Sequence, residues 1–434
     1  MLKTLNRKTL FSIFSFSFVL RMIFFAFIYD HPERAFDHDS RLYLRLAGSL
    51  LDSFSFPSIF RTPVYPSFIA FIYSLFGKYP QALLIFQYLL DSLTAILVVL
   101  IFSRMFQNSR YSYLAGFIYA VNPFAIFYSN MILTETLFTL VLAVSVYYFI
   151  IFLQTQERKF IFLSSLLLGA ATLCRPISIY LPLFLLPFIF VAGHKFRYKL
   201  KAGAAFLIIS YMVLIPWYMR NYNEYGRWTL STVSDLNYFV SYAPEVMMIK
   251  NDPSSIGKFN INEGIEHFQR IMWNRAKKKY GWNDSSPFSV VEDPGRMAIL
   301  GKEGKKVILN DPFIFIASHI LCVGRVLFPF YPPFHEIIGN DLKTIALLSL
   351  VLDFSVMGFF ALGIISFLRG ERPKLLKVVI FSMITVIIYF SFIPGIIGYS
   401  RFRVPVLPYI SIFSAAGLQN FRIFFFPSKK MLNR

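Results

Sequence analysis

A polytopic all-α membrane protein is the fold class this sequence predicts, and three observations predict it. Of 434 residues, 56% are hydrophobic, only 15% are charged, and 52 are phenylalanine. Apolar runs near or above the ~20 helical residues needed to cross a ~30 Å hydrocarbon layer recur along the chain. Most Lys and Arg lie in short stretches between those runs, where the positive-inside bias puts them. Helices suit such runs because they satisfy their own backbone hydrogen bonds in lipid. The net charge of +20 is therefore read as membrane topology, with no nucleic-acid partner. Cys174 and Cys322 lie in apolar runs without CxxC spacing and read as buried free thiols.

Taken in order, Lys3, Arg7 and Lys8 precede an apolar run over residues 9–29. No small-residue cleavage site follows, so the run reads as an uncleaved first span with a cytoplasmic N-terminus. The polar stretch 30–63 then falls on the outer face. Residues 64–76 return part-way, near the interface. Spans are expected over 81–102, 113–129, 134–153, 160–173, 177–192 and 203–219, with inside charges at Arg104, Arg110, QTQERK and HKFRYKLK. Residues 221–311 mix Asn, Asp, Glu, Lys and Gly without a spanning run and read as an extramembrane outer-face lobe. The apolar run 313–330 ends in FPFYPPFHE without a basic stop; the parity of the basic loops makes it interfacial or re-entrant. Spans over 344–368, 378–392 and 404–421 complete about ten crossings with a cytoplasmic C-terminus. The expected units are residues 1–220, a transmembrane catalytic module with outer loop 30–63; the 221–311 lobe; and 312–434, the interfacial segment with the C-terminal helices.

This topology gathers scattered charges. Asp37, Asp39, Arg61, Glu135, Arg175, Arg220, Arg401 and Arg403 all fall at or just beyond outer helix ends. Charges at that depth are costly unless paired or wetted, so a two-signed group on one face implies a hydrated cavity. Arginines supply fixed charge and fork-shaped donors suited to phosphate. A carboxylate with a histidine nearby, here His38 between Asp37 and Asp39, can act as general base toward a hydroxyl or amine. The Asp-x-Asp pair can alternatively hold a divalent cation against a phosphate, with Glu135 as a third acid. Tyr43 and Tyr65 stand beside these groups and are further site candidates. Together they describe group transfer from a lipid phosphate. His31, His267, His319 and His335 lack metal-pair spacing, and Asp91 and Asp353, inside apolar runs, read as helix-to-helix hydrogen bonders. No Walker or dinucleotide glycine motif is present, which argues against nucleotide sugars or ATP.

The ordered motifs resemble the C-type-fold membrane glycosyltransferases of family 39, the protein O-mannosyltransferases and lipid A aminoarabinose transferases. They are FDHDSRLYLRLAGSLL, RTPVYPSFIAFIYSLFG with QYLLD, NPFAIFYSNMILTETLF, LLGAATLCRPISIYL, PWYMRNYNEYGRWTLSTVSDLN and GYSRFRVPVLPYISIFSAAG. The resemblance implies a polyprenyl- or dolichyl-phosphate sugar donor and an inverting transfer on the outer face. It implies Asp37 as catalytic base, with Asp39 as the alternative, and Glu135 as an acid that arranges the site or holds a metal. Arg61, Arg175, Arg401 and Arg403 match positions near the donor phosphate. The first loop carries Asp-His-Asp rather than the Asp-Glu pair of the protein mannosyltransferases, and no β-trefoil domain is seen. These departures point to a lipid-linked or cell-surface glycan acceptor and to a bacterial inner membrane. A rival class, a lipid or sugar transporter or flippase without bond cleavage, shares the span count but has internal repeats and midplane polar groups as its usual marks.

Overall fold

The computed structural model describes residues 5–192, 195–255, 262–328, 337 and 343–425. The FPFYPPFHE string beyond Phe328, with His335, and the C-terminal Lys429, Lys430 and Arg434 lie outside the described residues. Among those described, the chain is helical with no strand, as the composition requires.

Helix α1 (Arg7–Phe25) starts at Asn6, whose side chain accepts from the Lys8 amide. The polar stretch after it folds into two short helices. Asp37 caps α2 (His38–Ser53), accepting from the His38 amide at 2.6 Å, while its own N–H donates to Ser40 Oγ at 2.9 Å. This reciprocal box fixes where the chain turns helical. α2 stops at Phe54 in a left-handed conformation, φ 51°. α3 (Val64–Phe76) has 13 residues, too few to cross, which agrees with its part-way reading.

The bundle follows: α4 (Pro80–Phe106), α5 (Ser109–Ala120), α6 (Pro123–Ser129), α7 (Glu135–Thr155), α8 (Arg158–Cys174), α9 (Leu181–Val191) and α10 (Phe196–Met212). α11 (Ile215–Tyr225) continues from α10. Gln107 and Gln156, at φ 50° and 59°, end α4 and α7 in left-handed caps. Six described helical stretches are long and apolar enough to cross a membrane: 7–25, 80–106, 135–155, 196–225, 347–369 and 374–392, or up to seven with one bent pair. The other expected crossings fall on shorter or broken elements. The run 113–129, for example, splits because Asn122 caps a new helix whose first residue, Pro123, has no N–H to continue the old one.

The lobe comprises α12 (Val233–Asn237), α13 (Ala243–Asn251), α14 (Asn262–Tyr280) and α15 (Pro294–Asn310). It has its own apolar core of Leu236, Phe239, Val246, Trp273, Met297 and Leu300. Phe60 joins that core, Ser58 Oγ donates to Glu292 at 3.0 Å, and Ser231 Oγ donates to the Phe60 carbonyl at 2.6 Å. The lobe is thus docked on the segment that carries Arg61. A 95° bend separates α15 from α16 (Pro312–Leu327), so the apolar 313–330 run is no straight continuation of the lobe.

The chain closes with α17 (Lys343–Arg369), α18 (Lys374–Phe392), the short α19 (Ser400–Arg403) and α20 (Leu407–Phe425). α17 and α20 meet backbone to backbone: a Cβ on Gly363 would lie 2.1 Å from the Phe413 carbonyl oxygen, and one on Gly417 1.9 Å from that of Phe359. Small residues at such crossings are how membrane helices gain packing without a hydrophobic drive between them. α19, just before α20, is thereby held against the bundle.

Candidate active site

Four distant segments deliver one connected ladder of charge. Arg61 Nη2 donates to Asp39 Oδ1. Arg401 Nη1 donates to Asp39 Oδ2 at 2.7 Å, and its Nε to Glu135 Oε1. Arg175 Nη1 completes the ladder on the same Glu135 oxygen at 2.7 Å. Each rung has a local cause. Asp39 sits in the first turn of α2, and Glu135 opens α7, where the N-terminal dipole favours an anion. Arg175 is the residue at which α8 stops before Pro176, and Arg401 lies on α19. Thr62 Oγ1 donates to the Cys174 carbonyl at 3.2 Å, stapling the Arg61 turn to the Arg175 turn.

Aromatic rings wall the guanidiniums. Arg61 lies 4.6 Å from the Phe60 ring centre and 5.1 Å from that of Tyr43, and Arg175 lies 5.1 Å from Phe402. Such faces hold a cation at little desolvation cost. Tyr43 OH accepts from Arg61 at 3.4 Å. Tyr65, edge-on to Tyr43, donates to Gln87 Oε1 at 2.7 Å and supports it from behind.

Electrostatics separate the two acids of the first loop. Burial raises the Asp39 carboxyl, but the Arg61 and Arg401 guanidiniums outweigh it and hold it down at about 2. Asp39 is therefore a fixed anion and a poor proton acceptor. Asp37 stands at the rim: its side chain is 34% exposed and its Oδ2 lies 3.9 Å from Arg401 Nη1. In the ladder itself three guanidiniums face two carboxylates, and the Asp37 carboxylate at the rim balances the third positive charge. Arg61 Nε is buried with no acceptor among the described residues.

The residues do not fit a divalent cation. Among the described residues no three His, Cys, Asp or Glu are arranged to hold one. Asp39 turns both oxygens to arginines, and Glu135 spends Oε1 on two arginines and Oε2 on the Thr134 hydroxyl at 3.3 Å. A cation at Asp37, Asp39 and Glu135 would stand against three guanidiniums.

Two arginines expected at the site lie elsewhere. Arg403 is fully buried, pairs with Asp353 at 2.7 Å and packs on the Phe124 ring. Arg220 donates to the Ser58 carbonyl at 2.8 Å and to that of Phe56, stacking among Phe56, Trp217 and Tyr225, so it clamps the loop before Arg61. His38, the first residue of α2, is exposed. Sequence reasoning overlooked Arg21, which donates from Nε to Asp91 Oδ2 at 2.6 Å, with Tyr119 OH on the other oxygen at 2.6 Å. A lone arginine in an apolar run was the available signal. It also overlooked Tyr128, whose hydroxyl meets Ser400 Oγ at 2.7 Å next to Arg401.

Comparison with known proteins bears on this geometry. The model of the family described as dolichyl-phosphate-mannose-protein mannosyltransferase matches residues 60–219. That stretch holds Arg61, Glu135 and Arg175; Asp37, Asp39 and Arg401 come from outside it. The apo oligosaccharyltransferase of Archaeoglobus fulgidus superposes with a TM-score of 0.54 at 13% identity, over 99% of this chain and 52% of that one. The chain carries the C-type glycosyltransferase fold. The same archaeal enzyme, AglB, in complex with an inhibitory peptide and a dolichol-phosphate, matches with a TM-score of 0.52 at 14% identity, over 98% of this chain and 51% of that one. ArnT of Cupriavidus metallidurans bound to undecaprenyl phosphate is a looser likeness, TM-score 0.40 at 14% identity, over 92% of this chain and 77% of that one. No curated protein matches the chain at a significant level. This C-type chain spans about half the length of the archaeal structures it matches. The resemblance to family 39 drawn from the motifs agrees with the family match and the shared fold.

Proposed function

We propose that this chain is a membrane glycosyltransferase that moves a sugar from a polyprenyl- or dolichyl-phosphate donor to a lipid-linked or cell-surface glycan acceptor on the outer membrane face. One observation carries the reading: the shared ladder Arg61–Asp39–Arg401–Glu135–Arg175, three guanidiniums strung on two carboxylates, with Asp37 at its open rim. The family match and the dolichol-phosphate bound by the archaeal relative support the donor class.

In this reading Arg61 and Arg401 hold the donor phosphate, Arg175 holds the far end of the ladder, and Asp39 and Glu135 keep the guanidiniums aimed. The acceptor hydroxyl oxygen attacks the anomeric carbon from the side opposite the phosphate. Its proton passes to the Asp37 carboxylate as the new carbon–oxygen bond forms. The bond between the anomeric carbon and the phosphate oxygen breaks, its electron pair stays on the phosphate, and the arginines stabilise the growing charge. Fixed guanidiniums need no reorganisation at that moment, which is where the rate gain arises.

The test is purified protein with a radiolabelled polyprenyl-phosphate monosaccharide and a glycan acceptor. Release of free lipid phosphate with label on the acceptor is expected. Movement of intact labelled lipid across liposomes without release would overturn the reading in favour of a flippase.

A further inference from the structure

A second charged concavity lies on the lobe, apart from the ladder. It is a cleft of about 770 Å³ lined by Arg227, Lys279, Lys302, Lys305 and Lys306 against Asp235 and Glu303, in the size range of ligand sites. Tyr280 and Leu309 complete its wall. Five cations face two acids, so the cleft is three charges positive. Both acids are already engaged: Asp235 pairs with Arg227 at 3.0 Å, and Glu303 with Lys279 at 2.6 Å. Lys305 reaches Asp235 only at 3.9 Å, and Lys302 and Lys306 enter none of the ion pairs among the described residues.

The cleft is built by close packing rather than by chance surface charge. A Cβ on Gly304 would lie 2.5 Å from the Tyr238 carbonyl, and one on Gly301 2.3 Å from Asp235 Oδ1. Those glycines let α15 press onto α12 and the turn after it. The neighbouring positions 302, 305, 306 and 309, spaced i, i+3, i+4 and i+7, then line one face. Tyr280 stacks on Trp282 at 5.3 Å, giving the cationic wall a rigid aromatic floor. A concave wall of one sign over low-dielectric protein concentrates counter-ions. Lysine ammoniums, as compact point charges, suit phosphate oxygens. Leu309, 74% exposed, adds an apolar edge to the cleft, so a ligand with a phosphate head beside a greasy or sugar body fits it.

We propose that this lobe cleft is a binding site for a phosphate-bearing ligand, with Lys302, Lys305 and Lys306 as its principal contacts. The lobe core takes in Phe60, next to Arg61, so a phosphorylated acceptor held here is tethered on the body that carries the ladder. That acceptor role rests on the transferase reading; the binding itself does not.

The experiment separates the two. Purified protein in neutral detergent is titrated with radiolabelled inorganic pyrophosphate, in an Arg401→Ala background so that the ladder contributes little. Direct binding of a short-chain fluorescent phosphatidylglycerol, compared with the matching phosphatidylcholine, in the same detergent tests the headgroup source. The Lys302→Gln/Lys306→Gln variant is expected to bind at least tenfold more weakly, and Lys306→Arg to bind as the parent does. Loss of pyrophosphate binding assigns a soluble phosphate group as ligand. Loss confined to the short-chain phosphatidylglycerol assigns a lipid headgroup. Equal binding by parent and double variant in both assays overturns the proposal. None of these readouts needs turnover, so a failed transferase assay leaves the result intact.

Discussion

The ladder and the sealed pairs inside the bundle use the same chemistry for opposite ends. Arg21–Asp91 and Arg403–Asp353 are one-to-one pairs whose arginine side chains are 0% exposed. Arg21 also fills its fork with the Ser17 and Ala120 carbonyls, both at 2.9 Å, which joins three helices. Arg403 keeps Nε and Nη2 without acceptors, yet nothing can reach them past the Phe124 ring and the bundle. In the ladder each carboxylate is shared by two arginines, and exposure rises from Glu135 at 0% through Arg401 at 10% to Asp37 at 34%. On the proposed reading, buried charge serves a ligand site here only where it is shared and open at one end. Sealed, it is helix-to-helix fastening.

Breaking one member of a sealed pair gives the largest expected effect. Arg21→Met leaves Asp91 buried and unpaired, with an expected loss of about 3–5 kcal/mol, read by thermal unfolding in detergent. Arg21→Met/Asp91→Leu should regain most of it, because apolar replacements of both partners are tolerated. A single variant as stable as the parent would remove the structural role of the pair. The ladder should respond the other way. Asparagine caps helices as well as aspartate does, so Asp37→Asn should keep its Tm while turnover falls roughly 10²–10⁴-fold. Full turnover in that variant would reject Asp37 as the base.

The comparison also explains what the sequence made legible. Sidedness gathered Asp37, Asp39, Arg61, Glu135, Arg175 and Arg401, because helix ends of like parity converge whatever lies between them. It could not separate Arg401 from Arg403. Two residues apart on one turn, they point away from each other, and only the packing of α19 decides which meets Glu135. Arg220 looked like a ladder member because its helix ends nearby, but its fork closes on backbone carbonyls of the loop. Arg21 was hidden in a uniformly apolar run with its partner 70 residues away. Element number was blurred by prolines: Pro123 and Pro182 each sit in the first turn of a new helix inside an apolar run that hydropathy alone reads as continuous.

Between the two kinds of charge stands Glu245 on α13, buried in the lobe with Oε2 unpartnered among the described residues. Burial raises its carboxyl to about 7, against the pull of a Ser318 hydrogen bond and the Arg325 charge. The folded form thus holds a proton that the unfolded chain, at about 4.5, has released. Stability should fall as pH rises from about 4.5 to 7, by at most about 3 kcal/mol. Glu245→Gln should raise Tm relative to the parent at pH 8 and match it near pH 4. The same gap at both pH values would mean that its environment stabilises the ionised form, as the ladder does.

Asp39 gives the smallest and most discriminating effect, because its sign is opposite. Its folded carboxyl sits at about 2 against 3.8 unfolded, so its stabilisation is fully present above about 4 and disappears as pH falls through about 2. The shift corresponds to about 2 kcal/mol. Acid unfolding from pH 5 to 2 should show the parent's advantage over Asp39→Asn shrinking toward zero at the acid end. A gap that stays constant over that range would mean that Asp39 titrates alike in the folded and unfolded chain, so that Arg61 and Arg401 do not hold its charge.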